Sequence, residues 1–138
     1  ESKEFWENTL KSNKHGYNSK ICGHLKSNKK YGLTFKTNKI PDINSTSSTL
    51  FFSSYFLSNT IVDCKIVVSI SSEGNNIYYK SKKLNYSIKK RGKWQNASLL
   101  FKLPRVETEN YEFKLYILNT GSSELFYDDF KFSIYEQQ

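Results

Sequence analysis

Two adjacent carboxylates, Asp128 and Asp129, stand in the last stretch of the chain, Ser123-Glu124-Leu125-Phe126-Tyr127-Asp128-Asp129-Phe130-Lys131-Phe132-Ser133-Ile134-Tyr135-Glu136, and are two of only four aspartates. A pair of carboxyls is the equipment of acid–base catalysis or of cation binding. Glycoside hydrolysis needs two of them roughly 5 to 10 Å apart across a cleft. Neighbours on a strand point to opposite faces, so this pair cannot flank one bond. Strict alternation places Asp128 in a row with Phe126, Phe130, Phe132 and Ile134, and Asp129 with Tyr127, Lys131, Ser133 and Tyr135. A carboxylate in a core-facing row calls for a hydrogen-bond donor, a cationic partner or a metal ion. Asp129 reads as solvated.

No other catalytic constellation emerges. His15 and His24 fall in a turn and on an outer row, and neither sits in a nucleophile–base pattern. A glycine-rich phosphate loop and a spaced metal signature are both missing from the sequence. The chain reads as non-catalytic. Cys22 and Cys64 are an even pair, which raises a disulfide. Cys64 shares the row of Ile66 and Val68 whereas Cys22 alternates with Ile21, and a bridge requires converging side chains, so free thiols are the expectation.

The charge of +8 invites a polyanionic partner. Of 21 basic residues only Arg91 and Arg105 are arginine, which argues against nucleic acid, whose readers lean on the planar guanidinium. The densest run, Lys80 to Lys93, reads as a solvated connection and, failing that, as a patch for an anionic polymer.

The elements that must position these residues are strands. Tyr17 to Leu25 alternates after a turn at His15-Gly16. Tyr31, Leu33 and Phe35 form a second row, Thr49 to Leu57 a strand covered on both faces, and Cys64, Ile66, Val68 and Ile70 another row. Glu73-Gly74-Asn75-Asn76 signals a hairpin into Ile77-Tyr78-Tyr79. Trp94 to Leu103 follows Gly92 and stops at Pro104, and Tyr111, Phe113, Leu115 and Ile117 alternate with Glu112, Lys114, Tyr116 and Leu118. Helical evidence is confined to Glu4 to Leu10. The expectation is an all-β fold: a two-sheet antiparallel β-sandwich, a jelly roll of eight or nine strands, in which residues 1–138 form one domain. An aromatic content of 16% argues for a packed core. The absence of a run of roughly 20 apolar residues argues against a membrane-spanning helix. With no Met at position 1, the chain reads as a processed protein or a domain of a longer one.

Several separated segments, in order, carry a resemblance. These are Phe5-Trp6, His15-Gly16-Tyr17-Asn18-Ser19-Lys20-Ile21, Tyr31-Gly32-Leu33-Thr34-Phe35, Gly92-Lys93-Trp94 with Leu103-Pro104, Leu115-Tyr116-Ile117-Leu118-Asn119 and Tyr127-Asp128-Asp129-Phe130. Together they resemble the carbohydrate-binding-module jelly rolls of the galactose-binding-like superfamily, with the flavour of envelope and secreted proteins of Bacteroidetes-type bacteria. That resemblance implies a glycan or polysaccharide as partner, an extracellular or cell-envelope location (periplasm or cell surface), and neighbouring domains in a larger envelope protein. It also implies a structural calcium, with Asp128 as ligand and Glu1, Glu4 or Glu7 as the available amino-end acids. A hydrogen-bonded or lysine-paired Asp128 stands as the alternative. For sugar contact it points to outward aromatics: Tyr116 first, then Tyr55, Tyr78 and Tyr79, with Asn119, Lys114 and Gln95 as polar helpers. Relatives often carry a second ring where this chain has Leu118. Trp94 is expected in the core. The competing function is a jelly roll that has lost sugar binding and serves as a structural or docking domain.

Overall fold

The computed structural model describes residues 4–7, 11–12 and 22–136. The opening of the row from Tyr17, with His15 and Glu1, lies outside them. Ten strand segments run in chain order: β1 Glu4–Glu7, β2 Lys11–Ser12, β3 Cys22–Leu25, β4 Tyr31–Thr37, β5 Ser48–Leu57, β6 Cys64–Ser72, β7 Asn75–Lys83, β8 Gln95–Leu103, β9 Glu112–Asn119 and β10 Leu125–Glu136. They form two five-stranded antiparallel sheets, ordered β1-β4-β9-β6-β7 and β2-β3-β10-β5-β8. This is the expected all-β jelly-roll sandwich, and among the described residues it holds no helix. The turn of helix expected from Glu4 is instead strand β1, because pairing of Glu4 to Glu7 with Thr37 to Thr34 satisfies its backbone along the free edge of β4.

The alternating rows meet between the sheets. Phe113, Leu115 and Ile117 of β9 and Ile66, Val68 and Ile70 of β6 face Leu50, Phe52 and Phe56 of β5 and Phe101 and Leu103 of β8. Phe35 packs on Phe132 at 5.0 Å and Phe52 on Phe130 at 4.9 Å, tilted or edge-on as the ring quadrupole prefers. A smaller cluster of Cys22, Leu57 and Phe126, with half-buried Trp94 against it, lies apart from this main core. Cys22 and Cys64 are both buried and are not joined in a disulfide.

Turn chemistry sets the connections. Glu73 and Gly74 both have positive φ, 50° and 82°, the signature of the two-residue hairpin turn that matches strand twist. β7 then continues past Tyr79 to Lys83, so the first lysines of the basic run belong to an edge strand and not to a loop. Lysine on an exposed edge is also what discourages pairing with another chain. At the β9–β10 turn, Asn119 accepts hydrogen bonds from the amides of Gly121 (3.3 Å) and Ser123 (3.2 Å) and donates to the Ser123 carbonyl at 2.9 Å. Its Oδ1 also lies 3.7 Å from the Cys64 thiol.

Two breaks in alternation matter most. Between Tyr31 and Thr34, β4 carries one residue more than β9, and between Asp128 and Lys131, β10 carries one more than β5. The second bulge, with Asp129 at φ 53°, corrects the simple parity of the terminal strand. Tyr127 and Phe130 both reach the main core, while Phe126 belongs to the smaller cluster. Asp128, two residues beyond Phe126, lies on the outer side, opposite Tyr55.

Gly23 pairs with Tyr127, and a Cβ built on it would lie 1.9 Å from the Tyr127 ring. Gly23→Ala therefore has to displace a buried ring, and about 1–3 kcal/mol of destabilisation is expected in urea unfolding. The Cys64 thiol gives a second expectation, because burial pushes it up to about 11. The folded state disfavours the thiolate, so the associated stability is complete below the ordinary thiol range and is lost as pH rises toward the folded value. Burial also raises the hydroxyls of Tyr127 and Tyr116, which extend the loss further into alkali. The urea midpoint should fall between about pH 8.5 and 10.5, and Cys64→Ala should shrink that fall by about 2 kcal/mol.

Candidate functional site

The outward row of β9 offers Lys114 and Tyr116 to the outer face of the first sheet. Register fixes what flanks them. Lys114 lies between Lys36 of β4 and Ser69 of β6, and Ser69 pairs in turn with Tyr79 of β7. One step along, Tyr116 lies between Thr34 and Val67; one step further, Leu118 lies between Tyr31 and Lys65. Of these, Tyr31, Thr34, Lys36, Ser69, Tyr79, Lys114 and Tyr116 line an open hollow of about 460 Å³, with Glu7, Ser71 and Asn76 completing its polar rim.

Three tyrosines organise the hollow. Tyr116 is at its centre, Tyr31 meets it edge-to-face at 5.9 Å, and both border the same space as Tyr79. Burial, then the neighbouring Tyr79 and its hydrogen bond, then Tyr31, all push the Tyr116 hydroxyl well above the usual phenol range. Tyr116 therefore stays a neutral donor at any physiological pH. So much aromatic cover lies over β6 that Val67, on the outer row, is fully buried although it takes no part in the core between the sheets. Tyr31 and Tyr79 remain about half exposed, at 49% and 48%. A sugar needs an accessible ring face beside hydroxyl and amide partners, and the hollow supplies both kinds of group.

The charged members are tethered. Lys36 forms an ion pair with Glu7, and Lys114 lies 3.5 Å from Glu112. Among the described residues no group of three or more His, Cys, Asp and Glu converges as for a metal ion.

Of the residues singled out by sequence, Tyr116, Tyr79 and Lys114 come together in the hollow. Tyr78 turns toward the core between the sheets, where burial raises its hydroxyl. Tyr55 lies on the second sheet, opposite Asn96 and Asp128. Asn119 is 4% exposed and holds the β9–β10 turn. Gln95 lies on the second sheet too, where its side chain binds the amides of Lys89 and Lys90 and the carbonyl of Lys90. His24 contacts Glu124 at 2.9 Å and stacks on Phe126 at 4.4 Å, so it is a half-buried, partnered residue and not a solvated one. Trp94 packs half-buried on the smaller cluster and not in the main core.

Asp128 itself stands on the outer side of β10. The bulge takes it out of the core-facing row, its Oδ1 accepts a hydrogen bond from the Asp129 amide at 2.9 Å, and Glu7 stands on the opposite sheet bound to Lys36. Glu1 lies outside the described residues.

The participant that sequence reading missed is Tyr31. Its place in the row of Leu33 and Phe35 assigns it to the core, but the bulge before Thr34 brings it to the outer face. Gly32 was the available signal, since an isolated glycine in a strand marks a bulge or a close approach. A Cβ at Gly32 would lie 3.0 Å from Ile117 and 3.3 Å from Leu25, so the chain can approach the core here only without a side chain. Tyr31 sits opposite Leu118, on the strand next to β9.

No family model matches the sequence and no curated protein matches it. Solved structures do match the fold. The CBM22-1 xylan-binding domain of Xyn10C from Paenibacillus barcinonensis aligns with a TM-score of 0.59 and 11% identity over 99% of this chain and 83% of that one. A family 16 carbohydrate-binding module aligns at 0.57 and 13% identity over 89% of this chain and 83% of that one. The CBM22-1-GH10 modules of Clostridium thermocellum xylanase 10B, complexed with xylohexaose, align at 0.52 and 15% identity over 99% of this chain and 26% of that longer one. Identities this low speak for architecture alone, and the architecture they establish is the jelly roll of carbohydrate-binding modules.

Proposed function

We propose that this chain is one non-catalytic glycan-binding module, acting as an accessory domain of a secreted or cell-envelope protein. The observation that carries the reading is the tyrosine trio of Tyr31, Tyr116 and Tyr79, which three separate strands bring to one hollow on an outer sheet face. Tyr116 seals Val67, but Tyr31 and Tyr79 stay about half exposed beside it, and a pyranose C–H face gains from each accessible ring. Thr34, Ser69, Ser71 and Asn76 line the same hollow with hydroxyl and amide groups, suited to sugar hydroxyls. The fold shared with carbohydrate-binding modules supports the same conclusion by analogy. Among the described residues that line the hollow, Glu7 is the one carboxylate and it is paired with Lys36, which supports binding without chemistry. No helix of the described residues is long and apolar enough to cross a membrane, and a module displayed outside the cell needs none of its own.

A polysaccharide panel read by affinity electrophoresis tests this directly. Retention by at least one polysaccharide is expected, with Tyr116→Ala weakening it about tenfold or more, or ~1.4 kcal/mol and upward. Tyr31→Ala should weaken it as well, whereas Tyr55→Ala, on the other sheet, should leave it unchanged. Retention that survives Tyr116→Ala but is lost with Tyr55→Ala would move the site to the second sheet.

A further inference from the structure

We infer that the ligand of this face is an acidic polysaccharide, a chain of uronic acid residues, held along the tyrosines with its carboxylates between two lysine pairs. The inference rests on the glycan-binding reading and adds the charge of the sugar. Its basis is the arrangement of the outer face. Lys36 and Lys114 stand directly opposite one another on β4 and β9, and Lys65 and Lys83 stand directly opposite one another on β6 and β7. Like charges opposed across a ladder destabilise a sheet, yet this one face carries two such pairs. Among the described residues the counter-charges nearby are Glu7 on Lys36 and Glu112 beside Lys114, while Asp63, at the end of the face, is hydrogen-bonded by Thr120 at 2.8 Å. Four lysines against two glutamates leave the face cationic, and each ammonium has three donors, enough to keep its glutamate and still meet a ligand oxygen.

Register arranges these charges around the rings. Tyr31 lies in the row of Leu118, Tyr116 in the row of Thr34, and Tyr79 in the row of Lys114, so the three tyrosines descend diagonally from β4 through β9 to β7. The lysine pairs occupy the two remaining corners, on either side of that diagonal. The rows of Lys114 and Leu118 are four residues apart, about 13 Å along the strand. An extended polysaccharide whose successive rings are flipped would lie on the diagonal and send carboxylates to alternate sides, one set toward Lys36 and Lys114 and the other toward Lys65 and Lys83. A neutral chain would use the rings and leave both pairs uncompensated.

The test is affinity electrophoresis of the chain at about 0.15 M salt, where long-range charge attraction is screened. The probes are alginate, carboxyl-reduced alginate, neutral xylan and dextran sulfate. The expected result is alginate retained about tenfold or more tightly than its carboxyl-reduced form. The double variant Lys65→Gln with Lys83→Gln should bring alginate down to the reduced polymer's level, and Tyr116→Ala should abolish retention, with the thermal midpoint of each variant confirming that it is folded. Equal retention of alginate and its carboxyl-reduced form would overturn the acidic ligand while leaving the glycan-binding reading in place. Dextran sulfate held more tightly than alginate in a Tyr116-dependent way would replace the carboxylate by a sulfate and overturn the proposal as stated. Tight binding of both polyanions untouched by Tyr116→Ala would reduce it to unspecific charge attraction. Failure to retain any of the four would overturn the acidic ligand, and the glycan-binding reading would fall with it only if the whole polysaccharide panel were silent too.

Discussion

Alternation along a strand admits no intermediate, and a single extra residue sends every side chain after it to the other face. The whole molecule depends on where that happens. In β10 the bulge at Asp129 is what lets Tyr127 and Phe130, an odd number of residues apart, both reach the main core. Without it, Phe130, Phe132 and Ile134 would face outward and the carboxyl end of the sheet would lose its apolar floor. In β4 the bulge before Thr34 is what frees Tyr31 for the outer face while Leu33 and Phe35 stay inside. One break completes the core and the other completes the site.

The outer face and the core are built from the same strands, and the two sides are packed to different standards. Between the sheets, Phe52, Phe56, Phe101 and Phe113 are essentially without solvent contact and carry no polar atom that needs a partner. On the outside, Tyr116 covers Val67 with its ring yet keeps its hydroxyl in contact with that of Tyr79. A phenol suits this position because its ring can seal an apolar strand while its oxygen still serves a wet surface. Phenylalanine at Tyr116 would seal Val67 as well but would leave Tyr79 without that hydroxyl partner.

Sequence reading recovered most strands because their rows are clean: Cys64 to Ile70 and Tyr111 to Ile117 each point one way throughout, and Glu73-Gly74 can form few turns other than the one seen. The same parity put Tyr116 and Lys114 on an outward row of β9, whereas Tyr79 was named beside Tyr78 with no parity to separate them. It failed at Tyr31 and Asp128, in each case because parity counts residues and a bulge inserts one that pairing alone reveals. The Asn119 side chain was legible as polar and well placed, but not as buried, since its partners at Gly121 and Ser123 are assembled only when the turn closes. The basic run misled for a different reason. Lysines at Lys80 to Lys83 carry no strand propensity worth the name. They are strand because Val68 to Lys65 pair with them.

That basic edge strand also separates two explanations for lysine on this protein. Lys82 faces the core side of β7, where its ammonium lies 5.3 Å from the Phe101 ring centroid and its stem covers the margin of the sandwich. This is the ordinary service of an amphipathic side chain at an edge. Lys83, one residue on, faces the other way and meets Lys65. Edge protection would be served by a lysine on either face, and it offers no reason to oppose that lysine with a second one on an interior strand of the sheet. Nor does it account for Lys36 opposite Lys114, two strands away from β7. Shielding the edge thus explains the lysine on one face of β7 and leaves the opposed lysines on the other face without a packing reason.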